Sequence, residues 1–396
     1  MPRHFLFLCH PDHGHVIPNL AMVAELTRRG NRVTYITAES MAGIVTDAGA
    51  TAVAYDSRYR DADFLKVAED PGYLMDLLLD ESAAMLRKAS EDGAIEKPDV
   101  IVYDTSILFA GRILARKLDV PAVQVIPVFA SNEHFSYLQA MYNPDQPASE
   151  KPAEPPAWVM STMHRIGALC AGHGVAAAPP ELWFEVPPLS LVTVPREFQY
   201  AGETFDERFA FVGPCVGDRA FLGSWSPPES GLPVVLVSLG AVFNEHADFF
   251  RTCVEAFRGK PWHAVMTVAD GLDPASLGEL PSNVEVHRFV PHVAVLEHAS
   301  LCVTHAGMGT AMEALRAGTP MVCVPTSALD RPTAKRIADL GLGVALDPAT
   351  VTGEDLIAAI TSVLEDPGFT ARAADMAKAV DAAGGAGRAA DEIERR

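Results

Sequence analysis

No apolar run in this 396-residue chain approaches the roughly 18 to 20 residues that a helix needs to cross a bilayer. The first residues supply one Arg and a short apolar run before the polar HPDHGH, too short for a signal-peptide core and without a small-residue cleavage site. A cytoplasmic protein without a membrane partner is therefore expected. Basic tracts are missing as well: 31 Lys and Arg against 51 Asp and Glu leave a net charge of −20, which would repel a nucleic-acid backbone over most of the surface. The six cysteines (Cys9, Cys170, Cys215, Cys253, Cys302, Cys323) are widely spaced, and three lie inside strand-like apolar runs. That spacing gives neither a zinc knuckle nor a disulfide frame, and they read as reduced core residues.

What is present is ordinary globular composition, 49% hydrophobic and 21% charged, at a length suited to two domains. One pattern recurs: a helical stretch closes on Gly or a polar turn and a β-branched run follows, as in AELTRRG then NRVTYIT, or EALRAG then TPMVCVP. Short apolar runs without alternation suit strands buried on both faces, so the fold class is α/β with parallel sheets. The pattern blurs after about residue 128 and restarts at VVLVSLG. Two irregular stretches lie between, DQPASEKPAEPPAW and GDRAFLGSWSPPESGLP; the first reads as a loop and the second as the interdomain linker. The expected division is 1–213, a linker at 214–232, 233–378, and a terminal helix at 379–396. Two doubly wound domains would face each other across a cleft at the carboxyl ends of their strands, where such sheets bind ligands.

LCVTHAGMGTAMEAL, from Leu301, reads as strand, glycine loop and helix. Gly307 and Gly309 remove side chains where the backbone must approach a ligand, Thr310 lies in the first helical turn, and free N–H groups there favour phosphate. His305 can donate to a diphosphate oxygen, and Glu313 can accept from two ribose hydroxyls. Upstream, Phe289 offers an aromatic face to a base; downstream, Asp330 and Arg331 can meet the ligand's far end. A loop that needs its glycines only for packing is the bland alternative.

HPDHGHVIP, from His10, follows the apolar run FLFLC and leaves several readings open. One histidine can be a general base. Zinc would need His10, His13 and His15 to converge from a turn, with Asp12 or a distant fourth ligand. Alternatively, all three simply fill the turn, with His15 starting the helix HVIPNLAMVAELTRRG and capping or packing there. DAD at Asp61 to Asp63 lies in a polar run and reads as a solvated loop, with no metal expected.

HRFVPHVAVLEHASLCVTHAGMGTAMEALRAGTPMVCVP resembles the donor-binding motif of family 1 glycosyltransferases, and SLGAVF, ELPSNVEVH and FVGPCVGDR resemble its macrolide and antibiotic-tailoring branch from actinomycetes. The likeness runs in order over nearly the whole chain. It implies the GT-B fold: two facing Rossmann-like domains, an acceptor-binding N-terminal one and a C-terminal one holding an NDP-sugar, with the last helix packing back on the first. It also brings Ser238, Gly240 and Val290 into the donor site. By resemblance His13 is the histidine that deprotonates the acceptor hydroxyl, and Asp104, ending the buried strand Val100 to Tyr103, orients it. Four positions depart from the commonest pattern: Phe289 for Trp, His292 for Gln, Ala241 for Ser or Thr, and Arg331 for Gln.

The expected activity is inverting, metal-independent transfer of a sugar from an NDP donor, TDP or UDP, to a hydroxyl of a hydrophobic natural product such as a polyketide or macrolide. No cofactor is expected beyond that co-substrate. Aromatic and Met-rich stretches at Phe64 to Leu86 and Phe129 to Met163 suit an apolar acceptor. Replacing the Gln amide by a donor-only Arg331 points to a deoxysugar delivered as a TDP donor. A GT-B epimerase or hydrolase and a non-catalytic sugar-nucleotide-binding partner are the alternatives, and a homodimer stays open.

Overall fold

The computed structural model describes residues 2–143, 154–217, 223–240 and 246–396. Most of the Pro-rich loop, the start of the linker stretch and the Ala241 departure lie outside them. Backbone packing divides the chain into two units, Met1–Gly217 with Ala383–Arg396, and Asp218–Ala382.

The first unit holds β1 (His4–Leu8), β2 (Arg32–Ala38), β3 (Thr51–Tyr55), β4 (Val100–Asp104), β5 (Ala122–Ile126), β6 (Ser190–Val192) and β7 (Phe209–Phe211). Its helices are α1 (His13–Arg28), α2 (Glu39–Asp47), α3 (Phe64–Glu69), α4 (Pro71–Ala89), α5 (Leu108–Leu118), α6 (Tyr137–Tyr142), α7 (Ala157–Gly172) and α8 (Pro179–Phe184). The second holds β8 (Val234–Ser238), β9 (His263–Thr267), β10 (Val284–His287), β11 (Ala299–Thr304), β12 (Met321–Cys323) and β13 (Gly343–Ala345). Its helices are α9 (Ala247–Phe257), α10 (His292–Leu296), α11 (Met308–Ala317), α12 (Arg331–Asp339), α13 (Gly353–Glu365) and α14 (Pro367–Ala383), after which α15 (Gly385–Glu394) belongs to the first unit.

Both sheets are parallel, ordered β3-β2-β1-β4-β5-β6-β7 and β10-β9-β8-β11-β12-β13. In each, chain order reverses between two neighbours, β1 and β4 in one, β8 and β11 in the other. The crevice outside the carboxyl ends of such a pair is where open α/β sheets bind ligands.

Side-chain alternation explains how the first crevice is furnished. Phe5, Phe7 and Cys9 face the cluster that contains Val16, Met22 and Val23 of α1, whereas Leu6 and Leu8 face Leu79 and Met85 of α4. On β4, Val100 and Val102 join the α1 side, so Asp104, two residues on, points under α1 as well. The six cysteines are all buried and free.

Gly384 breaks the chain in the left-handed region at φ 92°, and α15 then lies against α1, burying Ala389, Ala390 and Ile393. Arg29 at the end of α1 grips it, with Nη1 2.6 Å from Asp391 and 2.7 Å from Glu394. Ile393, fully buried, should carry more of this contact than the half-exposed ion pairs. Ile393→Ala should lower the unfolding free energy of this unit by about 2 to 5 kcal/mol. Arg29→Ala should lower it by clearly less, read from urea unfolding of both variants.

Candidate active site

In the first unit the chain leaves β1 at Cys9, and Asp12 caps α1 by accepting the Gly14 N–H at 2.6 Å. The helix therefore begins at His13. Successive helical residues are separated by about 100°, so His13 and His15 point to nearly opposite sides. His13 is exposed, while His15 turns toward the sheet, its Nδ1 2.8 Å from Asp104 Oδ1. The expected pairing of His13 with Asp104 is thus corrected: Asp104 orients His15, and His13 makes no side-chain hydrogen bond among the described residues. His15 also neither caps the helix nor merely fills it.

Asp104 is fully buried, and its Oδ1 also accepts the Ser106 N–H at 2.8 Å and the Ser106 hydroxyl at 2.5 Å. Ser106 has one proton to give, so His10, whose Nδ1 is 2.6 Å from that hydroxyl, donates to it. The His10 and His15 rings meet edge to face at 4.6 Å. Their surroundings separate them. Burial, with the neighbouring His15, holds His10 down at about 4, so it stays neutral. Burial opposes protonation of His15 too, but the Asp104 carboxylate and its hydrogen bond outweigh it and raise His15 above the ordinary imidazole value. Asp104 in turn lies below the usual carboxylate range: burial pulls it up, and His15, His10 and Ser106 more than offset that.

Cys9, His10 and Asp104 bring donor atoms within 4.8 Å of one another. Burial and the Asp104 charge push the Cys9 thiol well up, so it keeps its proton and donates to the His10 carbonyl, while Asp104 Oδ1 is committed to His15 and Ser106. Asp63 of the DAD run caps α3 through the Lys66 N–H.

In the second unit, the loops after β8 and β11 meet. Ser238 Oγ accepts the Gly240 N–H at 3.3 Å, and Gly240, at φ 83°, packs on the His305 ring so closely that a Cβ there would lie 2.6 Å from His305 Cε1. A Cβ at Gly307 would lie 2.3 Å from His305 Nε2. Both glycines therefore serve the histidine, and only Gly309, where a Cβ would meet nothing within 4 Å, leaves open space that packing does not require. His305 Nδ1 is buried without a partner among the described residues, and Nε2 is 3.9 Å from Asp330 Oδ1. Thr310, in the first turn of α11, makes no side-chain hydrogen bond among the described residues. One turn on, the buried Glu313 has an oxygen 3.9 Å from Nδ1 of His292, whose Nε2 meets Thr267 Oγ1 at 3.0 Å.

Phe289 is 48% exposed beside Val290, which is buried and can offer a ligand only its backbone. Asp330 Oδ2 accepts from the Ser327 N–H at 3.0 Å and hydroxyl at 2.8 Å, leaving Oδ1 toward His305. Arg331 is exposed at the first position of α12. A groove of about 1000 Å³ lined by Arg251 and Glu255 of α9, Lys260 just after it and Glu354 of α13 holds none of these residues.

Sequence reasoning missed Ser106, His10's link to it, and Thr267. D-x-S directly after a buried strand is an Asx-turn signature that could have found Ser106; Thr267 comes from a distant strand and carried no local signal.

Residues 263–389 match the family described as "Erythromycin biosynthesis protein CIII-like, C-terminal domain". The chain is 40% identical over 403 aligned residues to demethyllactenocin mycarosyltransferase of Streptomyces fradiae, covering 99% of this chain and 86% of that one. It is 34% identical to oleandomycin glycosyltransferase of Streptomyces antibioticus, covering 99% and 90%. The calicheamicin glycosyltransferase CalG4 superposes with a TM-score of 0.86 at 40% identity, covering 100% of this chain and 98% of that one. With both switch-point sites furnished as described, the chain belongs to the antibiotic natural-product branch of the family 1 glycosyltransferases, NDP-sugar-dependent enzymes of the GT-B fold.

Proposed function

We propose that the protein moves a sugar from an NDP donor to a hydroxyl of a hydrophobic natural product in one inverting displacement, with His15 as the general base. The observation that carries this is the hydrogen bond between His15 Nδ1 and the buried Asp104. It fixes the tautomer that leaves Nε2 as the basic atom, and it places a negative charge where imidazolium forms. As the hydroxyl oxygen attacks the anomeric carbon, its proton passes to His15 Nε2, and the sugar's bond to the diphosphate breaks on the opposite face. The first turn of α11, with Thr310 and His305, receives the growing charge of the diphosphate. Glu313 and His292 hold the ribose, and Phe289 covers the base.

The sugar is proposed to be a deoxysugar carried on TDP. Asp330 has one carboxylate oxygen committed to Ser327, so it has only Oδ1 for a sugar hydroxyl, and Arg331, the departure from the Gln that the family resemblance implies, is exposed. Incubation with TDP- and UDP-sugars and a panel of aglycones tests the reaction class: a product heavier by one sugar is expected, whereas free sugar without conjugate would mean hydrolysis.

His15→Ala should lower the transfer rate by about 10² to 10⁴ while leaving calorimetric NDP binding nearly unchanged, and the exposed His13→Ala should cost little. Because the base must be neutral and its protonation is favoured, kcat should fall as pH drops through a midpoint above the ordinary imidazole value of about 6.5. An equal loss in both variants would overturn the choice of His15.

His305→Ala and Thr310→Val should raise the donor KM and lower kcat together, because charge on the leaving group grows in the transition state. Unaltered NDP affinity and rate in both would make this loop a packing turn.

Wild-type enzyme should show a higher kcat/KM with TDP-deoxysugars than with UDP-glucose, and Arg331→Gln should narrow the gap. A wild-type preference for UDP-glucose, unchanged by the substitution, would remove the deoxysugar reading.

A further inference from the structure

Asp12 enters the site through two hydrogen bonds that fix its carboxylate. Oδ1 accepts the Gly14 N–H at 2.6 Å, and Oδ2 accepts the Tyr59 hydroxyl. Tyr59 lies on a single 3₁₀ turn, Tyr59–Asp61, that is anchored from behind: the Ser57 hydroxyl and the Arg58 N–H each donate to the buried Glu81 of α4 at 2.8 Å, and the Tyr55 hydroxyl donates to it too. The Tyr59 ring stands edge-on to His10 at 4.9 Å, and His10 stands edge-on to His15 at 4.6 Å. Asp12, Tyr59, His10 and His15 therefore form one packed group, joined through Tyr59 to the turn that Glu81 holds.

The titratable neighbours of His15 come from four directions. Asp104 bonds it from β4, the neutral His10 meets its ring from the end of β1, and Asp12, at the start of α1, accepts the His15 N–H on its carbonyl at 3.1 Å; Tyr59 touches Asp12 and His10 from its turn, and the protonated Cys9 bonds the His10 carbonyl. Tyr59 is kept protonated by burial and by Asp12. The ionised members of this set are the two carboxylates.

We propose that Asp12 is a positioning residue of the reaction: clamped by Gly14 and Tyr59, it is a second counter-charge to the His15 imidazolium, beside Asp104. The inference rests on reading His15 as the base. Asp12 sits below the usual carboxylate range, because burial, which would raise it, is outweighed by His15, His10, the Tyr59 hydroxyl and the Gly14 N–H. It is therefore ionised wherever His15 titrates, and like Asp104 it favours the protonated imidazole. Removing its charge lowers the His15 pKa, so a group that must be neutral to act becomes available at lower pH.

Asp12→Asn tests this cleanly, since Asn caps a helix as well as Asp does and keeps the fold of α1 while removing the charge. The His15 imidazole is followed by NMR across pH in wild type, Asp12→Asn and Tyr59→Phe, together with the acid limb of the kcat profile. In Asp12→Asn both midpoints should fall by about one pH unit, the lower end of what a nearby opposite charge does to an ionisable group. In Tyr59→Phe the charge remains, and the His15 midpoint should move by less than half as much. An Asp12→Asn enzyme that loses activity at every pH with both midpoints unmoved would reduce Asp12 to a helix cap and overturn the proposal. His15→Ala separates this outcome from failure of the underlying reading. If that variant keeps its transfer rate, His15 is not the base, although the NMR midpoint still reports whether Asp12 acts on it. If it is inactive while Asp12→Asn leaves the midpoint in place, only the present inference fails.

Discussion

A doubly wound parallel sheet must change direction somewhere, and at that reversal two neighbouring strands end with no crossover helix lying between their carboxyl ends. Everything chemical in this protein depends on that constraint. β1 and β4 deliver His10 and Asp104 to one such point, and β8 and β11 deliver Gly240 and His305 to the other. The central strands are buried on both faces, so the polar residues that matter emerge only at their carboxyl ends.

At the first point, one carboxylate gives two identical side chains different tasks. Asp104 Oδ1 meets His15 directly and His10 only through Ser106. The direct contact outweighs the cost of burying a charge, so His15 can take up a proton; the indirect one does not, so His10 remains neutral. Two imidazoles in edge contact are thus held in different protonation states by their surroundings. The second point is built from shape. Two glycines give up their side chains to clamp the His305 ring, while Gly309, in the first turn of α11, faces open space where free helix N–H groups favour an anion.

Much of this was legible in the sequence. Short unalternating apolar runs such as FLFLC and VVLVS suit strands covered on both faces, and the basic last turns closed by Gly mark where helices hand over to them. Asp104 was legible for the same reason, since its run ends where a crevice must be. The choice between His13 and His15 turns on where α1 begins, a difference of two residues. Starting the helix at His15 puts His13 in the turn; recognising Asp12 as the cap starts it at His13 and rotates His15 onto the sheet. Tyr59 and Glu81 were not readable at all, because they reach the site from a loop and a helix whose sequences say nothing about their partners. Gly307 was read as space for a ligand and is instead space for a neighbouring ring.

The central claim is that the acceptor hydroxyl gives its proton to His15. The most direct measurement is a crystal structure of the enzyme with NDP and a transferred aglycone. The hydroxyl oxygen that receives the sugar should lie about 2.6 to 3.2 Å from His15 Nε2, with Nδ1 still on Asp104. A hydroxyl placed against His13 or His10, out of reach of His15, would contradict the account.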